Sequence, residues 1–433
     1  QIAARGITNA FAYDAKHRLV AIRHSDGTPL VSYTYDPFGR LVGSTDGLGT
    51  NQFVFDANSR LIRTDGPWDA DSVTYTYDPL DRVTNLVAEG SQPVLYSYDS
   101  LDRLLDVRLG AAQYFYGFNG DSPWVHSLQR PNGSSTTYTY DALGRTTALA
   151  TYRSTGELIL GGQYTYNAQD LEATESTTNA LGFTPVAERN TYQYNNLNQV
   201  LQSAPPARLF AHDADGNLAQ GFTPDAYPFT ALYDADNHLK QFVYTNTVTG
   251  VVFSNVYAYF ANGLLGEWRL YQNGVLSNTT RYLYDRFVPL QERNGANAVT
   301  RQYTWGLSRG GGIAGLLDLR QNGQEYSYIY DVRGNVSALL DAAQGVAAAY
   351  RYETFGKLLA KSGSLDQPFL FSTRTHDLLT GLSYFGFRFY SPALARWLTR
   401  DPLWQASDLN LYEFAHSNPA NYRDWFGLFA NGQ

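Results

Sequence analysis

The stretch VSYTYDPFGRL, residues 31–41, decides how this chain folds, because its elements return along the sequence. VTYTYDPLDRV follows at residues 73–83 and TTYTYDALGRT at residues 136–146. The Asp residues at positions 14, 36, 56, 78 and 99 are separated by 22, 20, 22 and 21 residues, and Asp141 lies two such periods further on. A fixed period in this range indicates one supersecondary unit that is stacked many times.

Each period is predicted to be a β-hairpin. Tyr, Val and Thr alternate before each Asp with the period of two that is typical of strands. The Asp carboxylate can accept from backbone N–H groups and start an Asx-type turn. We expect left-handed backbone next, at Gly39, Gly144, Gly216 and Gly334, or at Asn58 and Asn237 in the equivalent place. The following strands are predicted to begin at Leu41, Leu61, Leu104, Leu218 and Leu239.

The number of hairpins predicts a curled array. About fourteen can be traced in the sequence, which exceeds the ~10 strands that a twisted open sheet usually holds. We therefore predict an all-β fold, a spiral array of antiparallel hairpins that curls into a shell or barrel. Single helical turns are allowed only at Leu378–Leu379 and Ala393–Trp397.

Composition excludes several classes of protein. Aromatic residues make up 15% and charged residues 17% of the 433 positions, which is typical of neither disorder nor coiled coils. The net charge of −8 argues against nucleic acid or an anionic membrane as partner. There is no Cys, so disulfides and thiolate metal sites are excluded. No apolar run approaches the ~20 residues of a membrane-spanning helix.

The ends of the chain give one expectation. No signal-peptide pattern opens the sequence. The chain contains no Met, so we expect that Gln1 is not a translation start and that the chain is a processed product or a fragment.

The Tyr-Asp units resemble the YD repeats of RHS proteins and of the C components of bacterial ABC toxin complexes; related repeats occur in wall-associated bacterial proteins and teneurins. A second ordered string resembles the RHS-repeat-associated core domain: YDVRGN (330–335), TGLSYFGFRFYSP (380–392), RWLTRDP (396–402) and DWFGL (424–428). The resemblance implies a β-sheet cocoon around an interior space, with a core domain that plugs one end and passes the chain inward. We expect a repeat spiral over 1–325, a core domain over 326–428 and a short tail over 429–433.

The same resemblance implies an aspartyl-type self-cleaving device. Its candidate carboxylates are Asp401 and Asp424, Arg388 is the supporting cation, and Leu428–Phe429 is the scissile bond. Close like charges force two pKa values apart, so that one carboxyl group activates a nucleophile while the other protonates the leaving group. The family commonly has Pro where Trp425 stands. The competing hypothesis is that both Asp side chains only cap turns, as the repeat Asps do.

Other motifs predict little chemistry. No cofactor and no metal site is expected: Asp213-Ala-Asp215-Gly-Asn217 begins like a calcium loop, but Leu218 and Pro224 break the EF-hand pattern, which leaves a loose surface site as an open alternative. GLSRG at 306–310 matches a nucleophile elbow without the strand–turn–helix context, so a hairpin loop is the better interpretation. His376-Asp377 is interpreted as a structural contact.

Three functions remain open. The first is a structural β-shell that encloses or scaffolds a polypeptide cargo, supplied in trans or at the C-terminus, with self-cleavage after Leu428 and a partner shell subunit. The alternative is an extracellular or cell-surface structural or adhesion protein with a filled interior and no catalysis. The third is a self-processing protease housed by the repeats. In each case we expect a bacterial protein that is secreted or at the cell surface, without a nucleic-acid partner.

Overall fold

The computed structural model describes residues 3–179, 190–403, 409–428 and 430–432. These residues form 39 strands and two short 3-10 turns, Phe371–Thr373 and Ala415–Ser417, and the described part of the chain contains no α-helix.

The first large sheet contains sixteen strands in chain order. They are β1 Asn9–Tyr13, β2 Leu19–His24, β3 Val31–Tyr35, β4 Leu41–Thr45, β5 Thr50–Phe55, β6 Leu61–Asp65, β7 Val73–Tyr77, β8 Val83–Ala88, β9 Val94–Tyr98, β10 Leu104–Leu109, β11 Ala112–Phe118, β12 Val125–Gln129, β13 Ser135–Tyr140, β14 Thr146–Tyr152, β15 Leu158–Tyr166 and β16 Glu172–Asn179.

A small three-stranded sheet follows, and then a second large sheet of fourteen strands, again in chain order. The small sheet is β17 Thr191–Tyr194, β18 Val200–Ala204 and β19 Arg208–Leu209. The large one is β20 Ala211–His212, β21 Leu218–Phe222, β22 Pro228–Tyr233, β23 Leu239–Thr245, β24 Val252–Tyr259, β25 Leu265–Gln272, β26 Val275–Asp285, β27 Val288–Arg293, β28 Val299–Trp305, β29 Leu316–Gln321, β30 Gln324–Tyr330, β31 Val336–Leu340, β32 Val346–Tyr352 and β33 Leu358–Gly363.

The C-terminal region adds two small antiparallel sheets. They are β34 Thr375–Asp377, β35 Leu382–Tyr384, β36 Phe389–Ser391 and β37 Arg396–Trp397, and then β38 Tyr422–Asp424 with β39 Ala430–Gly432. The two helical turns that the sequence allowed are wrong. Leu378 and Leu379 lie in the turn between β34 and β35, and the second stretch ends in β37.

The predicted all-β spiral of hairpins is confirmed, because every strand of the two large sheets pairs antiparallel with its neighbours in sequence. In the hairpin of β3 and β4, Tyr33 pairs with Ser44 and Thr34 with Gly43, but Tyr35 pairs with Leu41. The pairing therefore skips one residue beside the turn. The same irregularity stands before the last aromatic residue in many hairpins, and such a bulge increases the local twist.

The Asp turn forms as predicted. The Asp36 N–H donates to the Arg40 carbonyl at 3.0 Å and the Gly39 N–H to the Asp36 carbonyl at 3.0 Å, while the Asp36 carboxylate accepts from the Arg40 N–H at 2.9 Å. Gly39 has φ 88°, in the left-handed region. The prediction for Asn58 is wrong by one position, because Ser59, with φ 64°, occupies the left-handed place in that turn.

The Arg at the end of each Asp turn links one hairpin to the next. Arg82 pairs with Asp78 through Nε at 2.7 Å, reaches Asp102 of the following turn through Nη1 at 2.9 Å, and places its guanidinium 4.5 Å from the Tyr98 ring centroid. Related pairings occur at Arg18, Arg40, Arg60, Arg103 and Arg145.

The second Tyr of each repeat also reaches across hairpins. Its hydroxyl donates to a carbonyl at the start of the previous hairpin's second strand, as in Tyr35 to Leu19 at 2.8 Å and Tyr259 to Leu239 at 2.7 Å. Equivalent bonds are made by Tyr77, Tyr98, Tyr140, Tyr166, Tyr233, Tyr284 and Tyr352. Each Tyr thus buries its ring while its polar end finds a partner.

The two large sheets, which we call the wall, meet along a seam between residues about 200 positions apart. The Asp46 carboxylate accepts from the Ala261 N–H at 2.7 Å, and Arg293 donates to the Glu89 carbonyl at 2.7 Å. Asn132 donates to the Asp341 carbonyl at 3.0 Å. Since these contacts join hairpin ends of the first sheet to the second, the chain returns to the same angular position after one turn of a spiral.

Apolar clusters fill this seam. One joins Val73 and Leu86 of the first sheet to Leu283 and Leu319 of the second. Strand β31 is buried along its whole length, since its two faces belong to different clusters. At β31 the second large sheet is therefore covered on both faces, on one by strands of the first sheet and on the other by a cluster that includes residues of the C-terminal region. Among the described residues, no helix is long and apolar enough to cross a membrane.

Deleting one linking hydroxyl group should weaken the wall. We expect Tyr259→Phe to lower the free energy of unfolding by about 1–2 kcal/mol, because the buried Leu239 carbonyl loses its donor. Tyr13→Phe is the matched control, since Tyr13 holds the same place in its repeat but is 61% exposed. Urea unfolding of both variants measures the difference, and equal costs would contradict a structural role for the hydroxyl.

Candidate functional site

Arg388 is the centre of the candidate site. It directly precedes β36 and is 4% exposed. Its guanidinium lies 4.3 Å from the centroid of the Trp397 ring, at the border of an aromatic cluster that includes Phe385, Tyr390 and Phe414. A cation in such surroundings has lost its hydration. Hydrogen-bond acceptors and carboxylates beside it therefore stabilise it strongly.

Asp401 is the first of these neighbours. One of its carboxylate oxygens accepts from Arg388 Nη2 at 2.8 Å, and the other accepts from the Leu403 N–H at 2.8 Å. The Leu411 carbonyl accepts from the Asp401 N–H at 2.9 Å and from Arg388 Nη1 at 3.3 Å. Asp401 therefore caps a turn and is ion-paired at the same time.

Asp424, at the end of β38, is the second neighbour. Its Oδ1 accepts from the N–H groups of Phe426, Gly427 and Leu428 at 3.1, 2.6 and 3.1 Å, and its Oδ2 lies 3.8 Å from Arg388 Nη2. Both Asp side chains therefore cap turns, as the competing hypothesis expects, and both also face Arg388. Unlike the repeat Asps, these two are buried and converge on one guanidinium group from distant positions in the chain.

Burial and charge act in opposite directions at this site. Burial raises the pKa of the Asp424 carboxyl, while Arg388 and the three N–H donors lower it in part. Burial also lowers the pKa of the Arg388 guanidinium, which its two carboxylate neighbours oppose. Asp401 contacts the Arg388 guanidinium directly at 2.8 Å, whereas the nearest oxygen of Asp424 lies 3.8 Å from it. The two carboxyl groups thus occupy different electrostatic environments although they share a cation.

The turn that Asp424 caps carries the candidate scissile segment. Arg388 Nε donates to the Gly427 carbonyl, and Gly427 has φ 77°, which favours glycine. A Cβ there would lie 3.2 Å from Arg388 Cβ and 3.3 Å from the Trp397 ring. Leu428 follows, whereas Phe429 and so the far side of the expected bond lie outside the described residues. The carboxyl pair and its cation therefore lie beside the residues that end at Leu428.

Sequence reasoning missed one cation at this site. Arg374 is buried, donates to the Trp425 carbonyl and donates to the Gly311 carbonyl at 2.8 Å. Burial lowers its pKa to about 10, and the charge of Asp424 opposes that shift. Its only sequence signal was a charge close to the apolar run Phe369–Phe371.

The remaining motifs have structural roles. Asp215, in the suspected calcium loop, pairs with Arg5 at 2.5 Å, and no group of three or more metal-ligating side chains occurs in the described ranges. Ser308 accepts from the Gly310 N–H within a hairpin loop between two strands, not in a strand–turn–helix elbow. His376 contacts the Ser383 hydroxyl at 2.9 Å, and burial lowers its pKa to about 4.

The fold and the repeat chemistry agree with the comparisons to known proteins. A sequence model of the Teneurin YD-shell matches residues 122–420, and one of the RHS repeat matches residues 8–50. The first match covers more than half of the chain. The chain therefore belongs to the Teneurin YD-shell family.

Curated relatives include large bacterial proteins. The chain is 29% identical over 251 residues to the tRNA3(Ser)-specific nuclease WapA of Bacillus spizizenii, with 55% of this chain and 10% of the relative covered. It is 25% identical over 347 residues to double-stranded DNA deaminase toxin A of Burkholderia cenocepacia, with 72% and 22% covered. Toxin subunit YenC1 of Yersinia entomophaga matches at 32% over 110 residues, with 24% and 11% covered. The chain thus spans less than a quarter of each.

Solved structures show the same fold. A crystal structure of TcdB2-TccC3-Cdc42 superposes with a TM-score of 0.73 at 15% identity, covering 98% of this chain and 27% of the other. The Photorhabdus luminescens Tc holotoxin pore gives 0.75 at 16% identity, with 99% and 26% covered. The chain therefore forms a β-shell of the type found in Tc toxins.

Removing the central cation should destabilise the C-terminal region. We expect Arg388→Gln to cost about 3–5 kcal/mol at neutral pH, since two buried carboxyl groups lose their shared partner. The raised pKa of Asp424 would rise further, so the folded variant would bind protons more readily than the unfolded chain, and its stability would fall as the pH rises. The deficit should therefore shrink as the pH is lowered towards that pKa.

Unfolding midpoints at several pH values measure this effect. The control is Arg63→Gln, because the Arg63–Asp65 pair is 47% and 39% exposed and should contribute at most about 1 kcal/mol. A deficit in Arg388→Gln that does not change with pH would contradict the electrostatic explanation.

Proposed function

We propose that this β-shell encloses a polypeptide and cuts its own chain after Leu428. The observation that carries the proposal is the convergence of Asp401 and Asp424 on Arg388, beside the turn that ends at Leu428. A repeat Asp such as Asp36 instead pairs at the surface with an Arg only four residues further on. Such a pair is local and does not bring distant parts of the chain together. On this proposal the wall forms the container, and the core domain expected over 326–428 shares strands β30 to β33 with it and carries the cleaving site after them.

The size of the spiral supports enclosure. The seam brings the turn before β5 against the turn before β25, twenty strands later. With strands ~4.8 Å apart, one turn has a circumference of ~95 Å and, if circular, a diameter of ~30 Å between backbones. Two sheets that pack face to face lie ~10 Å apart, so the side chains on opposite inner faces together fill ~10 Å. The lumen that remains is ~20 Å wide. An extended polypeptide fits into such a space.

The two carboxyl groups divide the chemistry of peptide hydrolysis. Asp401, which Arg388 holds in place at 2.8 Å, takes a proton from a water molecule that attacks the Leu428 carbonyl carbon. Asp424, whose pKa burial raises, donates a proton to the departing amine of Phe429. Three N–H donors and the bond from Arg388 to the Gly427 carbonyl hold this turn in place. The products are a carboxylate at Leu428 and a free amine at Phe429.

A partner shell subunit fits against the row of exposed turns along one edge of the first sheet, which we call the free edge of the wall. In the second sheet, the Asp-type turns are covered: the Ala235 and Ala261 N–H groups donate to Thr28 and Asp46 of the first sheet. The equivalent turns of the first sheet end in Phe38, Leu80 and Leu143, which are 85%, 69% and 69% exposed. We propose that further hairpins cover this edge as the first sheet covers the second.

Relatives indicate the setting of the proposed function. Because named relatives are toxin subunits, we propose a secreted or cell-surface bacterial protein with a polypeptide cargo. Two relatives carry nuclease or DNA deaminase names, so the absence of a nucleic-acid partner stays a prediction. The alternative of an adhesion protein with a filled interior is favoured by the layered packing around β31, and a cargo test separates the two.

Self-cleavage predicts a defined product. On incubation we expect a species that ends at Leu428, formed faster as the pH falls from neutral towards the raised pKa of Asp424, because that group must be protonated. Asp401→Asn and Asp424→Asn should each lower the rate by at least about 10²-fold. Intact-mass spectrometry measures the product. Asp78→Asn, which removes a wall Asp, is the control and should cleave normally.

A wild-type chain that stays joined after Leu428 through long incubation, across the acidic to neutral range, would end the cleavage proposal. The shell itself would be unaffected by that outcome, because it rests on the fold.

Enclosure predicts protection from protease. An unstructured segment appended after Gln433 should resist an added protease that cuts the same segment when it is inserted in the exposed turn at Leu80. Gel analysis of both fusions makes the comparison. Equal digestion of the two would favour the filled, non-enclosing alternative.

A further inference from the structure

The wall has three consecutive glycines, and the first two of them lie against the cleavage turn. Gly310, Gly311 and Gly312, between β28 and β29, have φ of 102°, 57° and 88°. A Cβ on Gly310 would overlap the indole ring of Trp425, and one on Gly311 would lie 2.8 Å from Trp425 Cβ. The glycines are therefore required by close approach as well as by their backbone conformation.

Arg374 joins the same two segments. Its guanidinium donates to the Gly311 carbonyl at 2.8 Å and to the Trp425 carbonyl, and it lies 5.4 Å from the Phe385 ring centroid. Its Nε is buried and has no hydrogen-bond partner among the described residues. A buried guanidinium that donates to two carbonyls from distant parts of the chain fixes the distance between them. Breaking either hydrogen bond would leave a buried polar group without a partner, which costs free energy.

We propose that the wall loop 309–313 and Arg374 position the cleavage turn through Trp425, so that the site is assembled only when the hairpin of β28 and β29 is in place. This inference rests on the proposed self-cleavage. Trp425 lies directly after Asp424 and two residues before Gly427, so its placement sets the position of both. Arg374 is thus a positioning residue, acting through the Trp425 carbonyl and not on the reacting bond.

The arrangement couples cleavage to closure of the shell. The loop belongs to the second large sheet, whose strands pair in chain order, whereas Asp401 and Asp424 belong to the C-terminal region. The C-terminal region supplies the Asp424 cap and the bond from Arg388, and the wall adds the Gly311 carbonyl and the space beside Gly310. A chain with an incomplete wall should therefore stay uncleaved, and cleavage would mark a finished container.

A double-mutant cycle tests the contact with Trp425. Gly310→Ala should slow cleavage by ~10- to 100-fold, because the added methyl group displaces the indole and with it the turn. Trp425→Ala removes the overlap but not the backbone strain at φ 102°, so Gly310→Ala should slow cleavage clearly less in this background than in the wild type. Gly323→Ala is the control, since it adds a methyl group at φ 73° with nothing within 4 Å.

A second measurement uses Arg374. Arg374→Lys keeps a charge that can reach one carbonyl and should restore part of the rate that Arg374→Gln loses. The charged groups that face Asp424 are Arg388, Arg374 and, across Arg388, Asp401. Losing the Arg374 charge should raise the pKa of Asp424, so the rate profile of Arg374→Gln should move to higher pH.

The outcomes separate the two proposals. If the wild-type chain does not cleave, self-cleavage is wrong, and with it the coupling of cleavage to the wall. If the wild-type chain cleaves but Gly310→Ala slows the Trp425→Ala background as much as the wild type, the positioning proposal is overturned. An unchanged pH profile in Arg374→Gln, or a Gly323→Ala variant as slow as Gly310→Ala, would overturn it equally. Circular dichroism of each variant confirms that a slow rate does not reflect unfolding.

Discussion

The structure depends on links between successive hairpins that are made by side chains as well as by the sheet. An isolated two-stranded hairpin is marginally stable in water, and an array of them needs lateral connections to hold one register. In this wall the second Tyr of a repeat donates back to the previous hairpin, while the Arg of the turn reaches forward to the next. A repeat that carries both residues, such as the one with Tyr77 and Arg82, is thus bonded to its neighbours in both directions.

The links between hairpins also explain why the chain is rich in Tyr and uses Asp at its turns. Tyr is used where Phe would bury as much apolar surface, because the pairing between β2 and β3 ends at Ala21 and the Tyr35 hydroxyl supplies a donor to the Leu19 carbonyl beyond it. Asp is used because one of its oxygens caps the turn and the other holds Arg. The wall therefore gains stability from many modest interactions, because the Asp–Arg pairs of its turns remain partly solvated.

The sequence predicted the hairpins, the start of each strand and the Asp turns, because these depend on local patterns. It did not predict the links of Arg82 or Tyr259, since a hydroxyl or guanidinium partner one hairpin away is invisible in a period of alternating residues. Asn58 was misplaced by one position because Asn favours left-handed backbone more than Ser does, whereas the loop length requires that conformation at Ser59. At the site, Asp401, Asp424 and Arg388 came from a family resemblance, and the structure brings them together. Arg374 had no comparable signal, because its partners are main-chain carbonyls.

Burial separates a turn Asp from a candidate catalytic one. Asp78 and Asp424 both cap a turn and both face a guanidinium, so their local chemistry is nearly the same. The pKa of Asp78 is lowered by Arg82 and its N–H donors, which outweigh its slight desolvation. The pKa of Asp424 is raised because burial outweighs the same kinds of contact. A shell can therefore carry many copies of one turn and acquire chemistry only where the wall and the C-terminal region exclude water from it together.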